Sequence, residues 1–413
     1  MRNPIPVLLL GGLVLCCAVA PGLAQRPSLK IGLLAPITGP QAANGKEMVN
    51  GLELFLEQET SRLAGRPVNL IVADDESKPA TGLSKLRGMV EGQGIHVVIG
   101  PLSAAVGYAI RDYIETHKLP AIFAVAAGAD ITQRKASRYI TRTAFAASQS
   151  TQPFGQWVYD ELKYRKIAII GFDFAFGWEE AAGFQRTFEE AGGRIVQKLW
   201  APLGNADYAP YLAQLKRDAD AVLAVFSGPD AVRFTRQYTQ AGLRERLPLI
   251  GTGTFTEEHV LRALADSDEL VGVISPFYYW AALDTPANRK FVKRFEEKYR
   301  QRPAQYGEGT YTAGLVLKRA LEAIGGDAEN GDRLAAALRA VDLSDAPRGP
   351  MRLDELGNPV MNLYVRKVER VGGRLQNSLI HTFRNVSQFW TYNPAEFLRA
   401  PVYSRDYPPC RYC

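Results

Sequence analysis

Leu29–Pro40 reads LKIGLLAPITGP, and this stretch decides the fold. Its first half is apolar almost throughout, the pattern of a parallel strand buried on both faces. Its second half breaks at Thr38-Gly39-Pro40, a turn signal. A helix pattern follows at once, with Met48, Leu52, Phe55 and Leu56 near helical spacing. A buried strand ending in such a loop offers backbone N–H groups to a ligand.

The same alternation runs downstream. Strands are expected at Lys30–Leu34, Val68–Ala73, His96–Ile99, Ala121–Val125, Ile167–Gly171, Arg194–Leu199, Ala221–Phe226, Leu249–Gly251 and Val271–Ser275. Helices are expected at Lys46–Thr60, Pro79–Gly92, Val106–His117, Gln152–Leu162, Gly177–Ala191, Tyr208–Lys216 and Pro229–Ala241. Gly192-Gly193 and Gly242 follow helices, where a left-handed residue is wanted. Alternating β and α implies right-handed crossovers and doubly wound parallel sheets.

Upstream, residues 1–24 read MRNPIPVLLLGGLVLCCAVAPGLA. One positive charge at Arg2, an apolar run and a Gly22-Leu23-Ala24 close make a secretory signal peptide. The run is short of the ~20 apolar residues that span a bilayer, which disfavours a membrane anchor. Cys16 and Cys17 admit a lipoprotein reading, but Leu15 before them is not a small residue. The expectation is an exported, periplasmic protein that is soluble once cleaved.

The chain has 413 residues, 46% hydrophobic and 22% charged, with a net charge of +6. That length suits two lobes better than one core. The charge is spread thinly, without the dense Lys/Arg runs that would mark a nucleic-acid partner. Past the leader only Cys410 and Cys413 remain. Behind two prolines at the chain end they suit a small disulfide; a redox pair or free thiols are the other readings. The four histidines, His96, His117, His259 and His381, stand singly. Each reads as surface or capping, so no metal site is expected.

The pattern restarts near residue 145, after the small, polar stretch Thr141–Ser150. An aromatic loop at Ser275–Asp284 leads to two long helices, Pro286–Arg300 and Tyr306–Ile324, then strands at Pro359–Val368 and Leu379–Arg384. The organisation expected is a signal peptide at 1–24, a first lobe from 25–144 plus 276–350, and a second from 145–275 plus 351–389. A tail at 390–413, rich in Pro, Tyr and Arg, wraps the surface. Two such lobes joined by several crossings form a hinge with a cleft at the carboxyl ends of their strands.

Taken together, these segments resemble the solute-binding proteins of ABC importers, in the branched-chain-amino-acid-binding family with the type I periplasmic fold. The marks are LLAPITGP with Asn44-Gly45, VADDESKPATGLSKLRGMV (72–90), HVVIGPLSAAVGYAI (96–110), LPAIFAVAAGADIT (119–132), IAIIGFDFAFGWE (167–179) and AVFSGPDAVRFTRQYTQAGL (224–243). The resemblance covers residues 29–385. LIGTGTFTEEHVLRAL (249–264), FYYWAALDTPANRKFVKRFEEKY (277–299), Pro347–Asp354 and the Asn385–Trp390 stretch are similar to a subgroup that binds aromatic acids.

The resemblance implies the site residues. Ser103, with Ala104 beside it, would meet a ligand carboxylate; its other reading is a helix N-cap, which is compatible. Ala126, Ala127 and Gly128 match the second carboxylate contact, by backbone alone because Gly128 replaces a hydroxyl residue. Phe176 matches an aromatic that packs on the ligand from the second lobe. Asn44 and Ser227 stand where amino-acid binders place aromatics. Gly253 stands where they place a carboxylate for the ligand's ammonium. An ammonium buried without its partner loses several kcal/mol, so an α-amino acid is disfavoured. Asp230 and Glu257 are close enough in sequence to substitute.

The second lobe's loops are rich in aromatic rings, with Phe255 and Phe176 the best candidates for a planar ligand. Most of these rings suit packing equally well. Arg142 reads as a charge for a carboxylate, or as a surface or interdomain pair. Asp74-Asp75 and Glu257-Glu258 read as solvated or capping acids. No G-x-S-x-G, H-E-x-x-H or P-loop is present, and Gly251-Thr-Gly-Thr lacks a third glycine. An enzyme is therefore not expected, nor any cofactor. The expected function is capture of a small organic acid, of the aromatic carboxylate type, by a monomer that hands it to an ABC permease. Amino-acid or amide binding, and a sensor that docks to a membrane receptor, are the alternatives.

Overall fold

The structure is a computed structural model that describes Met1 and residues 27–413. The rest of the expected signal peptide, with Cys16 and Cys17, lies outside the described residues. The order begins β1 (Leu29–Ala35), α1 (Ala42–Gln58), β2 (Arg62–Leu63), β3 (Arg66–Asp74), α2 (Pro79–Arg87), β4 (Val97–Ile99), α3 (Ala104–Thr116), β5 (Ala121–Phe123) and β6 (Ile140–Arg142). Next come α4 (Ala147–Glu161), β7 (Lys166–Phe172), α5 (Ala175–Glu190), β8 (Arg194–Ala201), α6 (Ala209–Gln214), β9 (Ala221–Val225), α7 (Gly228–Gln240), β10 (Leu249–Gly251), α8 (Glu258–Ala263) and β11 (Ile274–Phe277). The last elements are α9 (Pro286–Tyr299), α10 (Gln305–Ala323), α11 (Gly331–Arg339), β12 (Asp342–Leu343), β13 (Met351–Leu353), β14 (Pro359–Val371), β15 (Arg374–Val386) and α12 (Pro394–Arg399).

These strands form two sheets. The first runs β2-β3-β1-β4-β5-β6, with β1 in the middle of a parallel array. Ile31, Leu33 and Leu34 of β1 are fully buried, as an apolar run covered on both faces should be. The second runs β12-β13-β14-β11-β10-β9-β7-β8, with β15 paired to β14. Its parallel part is closed by antiparallel β14. The expected α/β architecture of two wound lobes is the one observed.

Segment 276–350 divides between them. Helices α9 and α10 pack on α1, while β12 pairs with β13 in the second sheet. The packing of α10 on α1 is close: a Cβ built on Gly51 would lie 2.0 Å from the Gly307 carbonyl oxygen. One apolar cluster joins Leu33 and Phe55 to Phe145, Phe277 and Leu363, so the first core continues into the crossing strands. A second core gathers Phe172, Phe226, Phe234 and Phe255.

Thr141–Ser150 is more than a polar junction, because all ten residues are buried. Polar residues are tolerated there by hydrogen bonding. Gln149 accepts from the Ala146 N–H and donates to the carbonyls of Pro359 and Val386, tying α4 to the crossing strands.

The tail packs against both lobes. Arg134 donates to the carbonyls of Phe397, Leu398 and Ala400 at the end of α12. Arg186 of α5 lies 3.5 Å from the centre of the Tyr392 ring. Cys410 and Cys413 are joined as a disulfide, with Cα atoms 5.5 Å apart.

Candidate functional site

The carboxyl ends of β1, β4, β5, β7, β9 and β10 lead into the ligand-contact candidates, from Asn44 to Phe255, named from the sequence. Asn44 is in the first turn of α1, Ser103 and Ala104 start α3, and Ala126–Gly128 follow β5. Phe176 opens α5, Ser227 precedes α7, and Gly253 and Phe255 follow β10.

On the first lobe these residues converge. Ser103 is the N-cap of α3, its Oγ accepting from the Val106 N–H at 3.5 Å. Gly128 lies alongside: a Cβ there would be 3.0 Å from Ala104 Cβ and 2.9 Å from the Tyr108 hydroxyl. Tyr108 was not foreseen. Its one signal is position, a helical turn after Ala104 on the same face. Below the loop, Arg142 is off the surface and, among the described residues, in no ion pair. It is fully buried and donates to the carbonyls of Gly128 and Phe145, while its Nε has no partner. Burial pushes this guanidinium down to about 10. The edge formed by Ser103, Gly128 and Arg142 is built of donors and of carbonyls held by a cation, an arrangement suited to an anion.

The second lobe reaches across at three places. Glu179 of α5 accepts from the Ala129 N–H at 2.9 Å, and burial pushes its carboxyl up to about 8. Phe176 is half-buried, packs on both apolar cores, and stacks with Phe174 at 6.3 Å. His259 of α8 bonds Asn44 Oδ1 at 2.9 Å and Glu47 Oε2 at 2.5 Å, both on α1. It is therefore an interlobe contact, where a surface or capping histidine was expected. Burial alone would lower its pKa, but the hydrogen bond and charge of Glu47, then Glu257, raise it.

Gly253 faces an aromatic ring. A Cβ built there would lie 1.9 Å from Phe277 Cδ2. The Gly253 carbonyl accepts from Arg366, a fully buried arginine beneath the Phe277 ring. Phe255 is fully buried in the second core, edge-on to Phe234, and Ser227 is half-buried without a capping bond. Packing within the lobe, the other reading open for Phe255, describes its position.

Of the four acids expected to be solvated or capping, Asp74 caps, accepting from the Ile37 and Glu76 N–H groups, and the other three are buried. Asp75 is fully buried, and burial first, then the charge of Asp74, raises it to about 6. Glu257 is raised to about 7 by burial; its Oε1 accepts from Tyr306 at 3.3 Å and its Oε2 has no partner. Glu258 is raised by burial as well. Asp230 already serves the second lobe, accepting from Tyr208, Arg233 and the Gly204 N–H. At the Thr38-Gly39-Pro40 loop, the Ile37 N–H and the Thr38 hydroxyl donate to Asp74, so an acid at the end of β3 takes donors expected for a ligand. Among the described residues, no cluster of His, Cys, Asp and Glu could hold a metal, and no helix is long and apolar enough to cross a membrane.

Comparison with known proteins fits this geometry. The family model for periplasmic binding proteins matches residues 28–374. The Leu/Ile/Val-binding protein homolog 6 of Brucella melitensis is 27% identical over 377 residues, covering 89% of this chain and 94% of its own. An ABC transporter substrate-binding protein from Sphaerobacter thermophilus superposes with a TM-score of 0.83 at 32% identity, covering 88% of this chain and 99% of its own. An ABC transporter solute-binding protein from Rhodopseudomonas palustris BisB5, in complex with 3,4-dihydroxybenzoic acid, gives a TM-score of 0.82 at 30% identity, covering 87% and 98%. With its two wound lobes and a polar edge at their facing strand ends, the chain belongs to the periplasmic binding protein family, among the solute-binding proteins of ABC transporters.

Proposed function

We propose that this protein captures a small aromatic carboxylate in the interlobe cleft and delivers it, as a periplasmic monomer, to the membrane permease of an ABC importer. The observation that carries the reading is the Phe277 ring over Gly253, which leaves no room for an acidic side chain at that position. A site with an apolar wall there and an anion edge at Ser103, Ala104 and Ala126–Gly128 suits a ligand with one carboxylate and a ring. In this reading Phe176, Asn44 and Ser227 contribute to the same site. Similarity to the dihydroxybenzoate-bound protein supports the same class. Lobe closure about the crossing strands would bury the ligand.

Glu257 favours a second reading, in which the ligand is a branched-chain amino acid. Its Oε2 has no partner, and the Brucella relative is named for Leu/Ile/Val binding. Against this, burial holds Glu257 up at about 7, which weakens it as an ammonium partner near neutral pH.

A thermal-shift screen separates the two, because a bound ligand stabilises by mass action. Benzoate, hydroxybenzoates and phenylpropanoid acids should raise the melting temperature. Stabilisation by leucine or valine and by no aromatic acid would replace the proposal with the second reading.

A further inference from the structure

We infer that the mouth of the interlobe cleft is a cationic capture site that speeds the encounter with small carboxylate anions. The inference rests on the proposed function and concerns entry, a step the buried edge at Ser103 does not address. A cavity of about 700 Å³ opens between α1 of the first lobe and α7 and α8 of the second. Lys46, Arg233 and Arg262 line it, one from each helix. Lys46 and Arg262 are exposed and neither is in an ion pair among the described residues; Arg262 donates only to Gln301. Arg233 is half-exposed and shares the buried Asp230.

The balance of charge here is one-sided. Among the described residues, Glu47 is the only acid lining the cavity. It is 1% exposed, and it accepts from the N–H groups of Ala304 and Gly307 and bonds His259. It is therefore withdrawn from solvent, while the cations face it. A cleft lined by one sign of charge over low-dielectric walls concentrates the field and raises the on-rate of an oppositely charged ligand. At physiological salt the effect acts within about 8 Å, which keeps it local to the mouth. The chemistry selected is a small organic anion; a zwitterionic amino acid gains nothing net from the same field.

Stopped-flow association with benzoate and 4-hydroxybenzoate tests this, on the mature protein and on Lys46→Gln/Arg262→Gln and Lys46→Glu/Arg262→Glu. The wild-type association rate should fall about 3- to 10-fold between 10 mM and 500 mM salt. The charge-reversed variant should associate about 10-fold more slowly at low salt, with an unchanged dissociation rate and a difference that vanishes at high salt. Equal association rates in all three proteins, independent of salt, would overturn the inference and leave the proposed function standing. No binding of any aromatic carboxylate would remove both. Both substituted residues are exposed, and the salt dependence of the wild type needs no variant to fold.

Discussion

His259 Nε2 lies 2.5 Å from Glu47 Oε2 and joins helix α8 of one lobe to helix α1 of the other. Glu47 Oε1 accepts from the Ala304 and Gly307 N–H groups, so one buried carboxylate links three elements. Tyr306 stacks on the imidazole with ring centres 5.6 Å apart. The stability of this contact is thus coupled to the protonation of His259.

That coupling sets a pH dependence. His259 is raised, Glu257 is raised to about 7 and Glu179 to about 8. In each case the folded protein holds its proton more tightly than the unfolded chain. Their contribution is complete at low pH and is lost as pH rises through the folded values. The melting temperature should therefore be higher near pH 6 than near pH 8.5. Glu179→Gln and Glu257→Gln should flatten the dependence, and calorimetry across that range checks it. Acids held low, such as Asp74 and Glu329, act only at more acidic pH.

Gly253 and Phe277 should be strongly coupled. Gly253→Ala forces a methyl into the ring and should cost about 1–3 kcal/mol of stability. Phe277→Ala, which itself costs about 3–5 kcal/mol, opens that space, so in its background Gly253→Ala should cost much less. Urea unfolding of the two single variants and the double variant gives the coupling energy directly. Additive effects would mean that the ring moves away freely.

Arg348 and Glu308 form a fully buried ion pair, and Arg348 also donates to the Thr143 carbonyl in the crossing. Removing one partner leaves a buried charge. Glu308→Ala or Arg348→Ala should each destabilise by about 3–5 kcal/mol. Replacing both with apolar residues of similar volume should cost less than either single change. Chemical denaturation of the three variants is the measurement.

Ser103 offers a clean division between stability and binding. Its Oγ caps α3 across 3.5 Å, a long bond, so Ser103→Ala should cost no more than about 1 kcal/mol of stability. If the hydroxyl also meets the ligand carboxylate, affinity should drop by about 1–3 kcal/mol. Calorimetric titration with the best ligand from the screen measures it. Unchanged affinity would leave Ser103 as a cap alone.

The tail should stabilise the whole molecule. Arg134 from one lobe and Arg186 from the other both grip it, and its own Phe397 is buried. Truncation after Phe389 should lower the melting temperature, and Arg186→Ala should reproduce part of that loss. An unchanged melting temperature would make the tail a passive appendage.

The sequence by itself determined the winding of the lobes. Runs such as Lys30–Leu34 and Ile167–Gly171 can be buried on both faces only in a parallel sheet, and helices between them force the crossovers. It also determined which loops bear the candidate site, because strand ends and helix starts are local signals. Local signals could not tell that Thr141–Ser150 is buried, that His259 crosses the cleft to Glu47, or that Phe277 stands over Gly253. Each of those depends on residues 24 or more positions apart being brought together. The same is true of Arg142, which the sequence leaves open between a ligand charge and a surface or interdomain pair, and of Glu179. Only tertiary burial, by removing water from them, turns them into groups with shifted proton affinity.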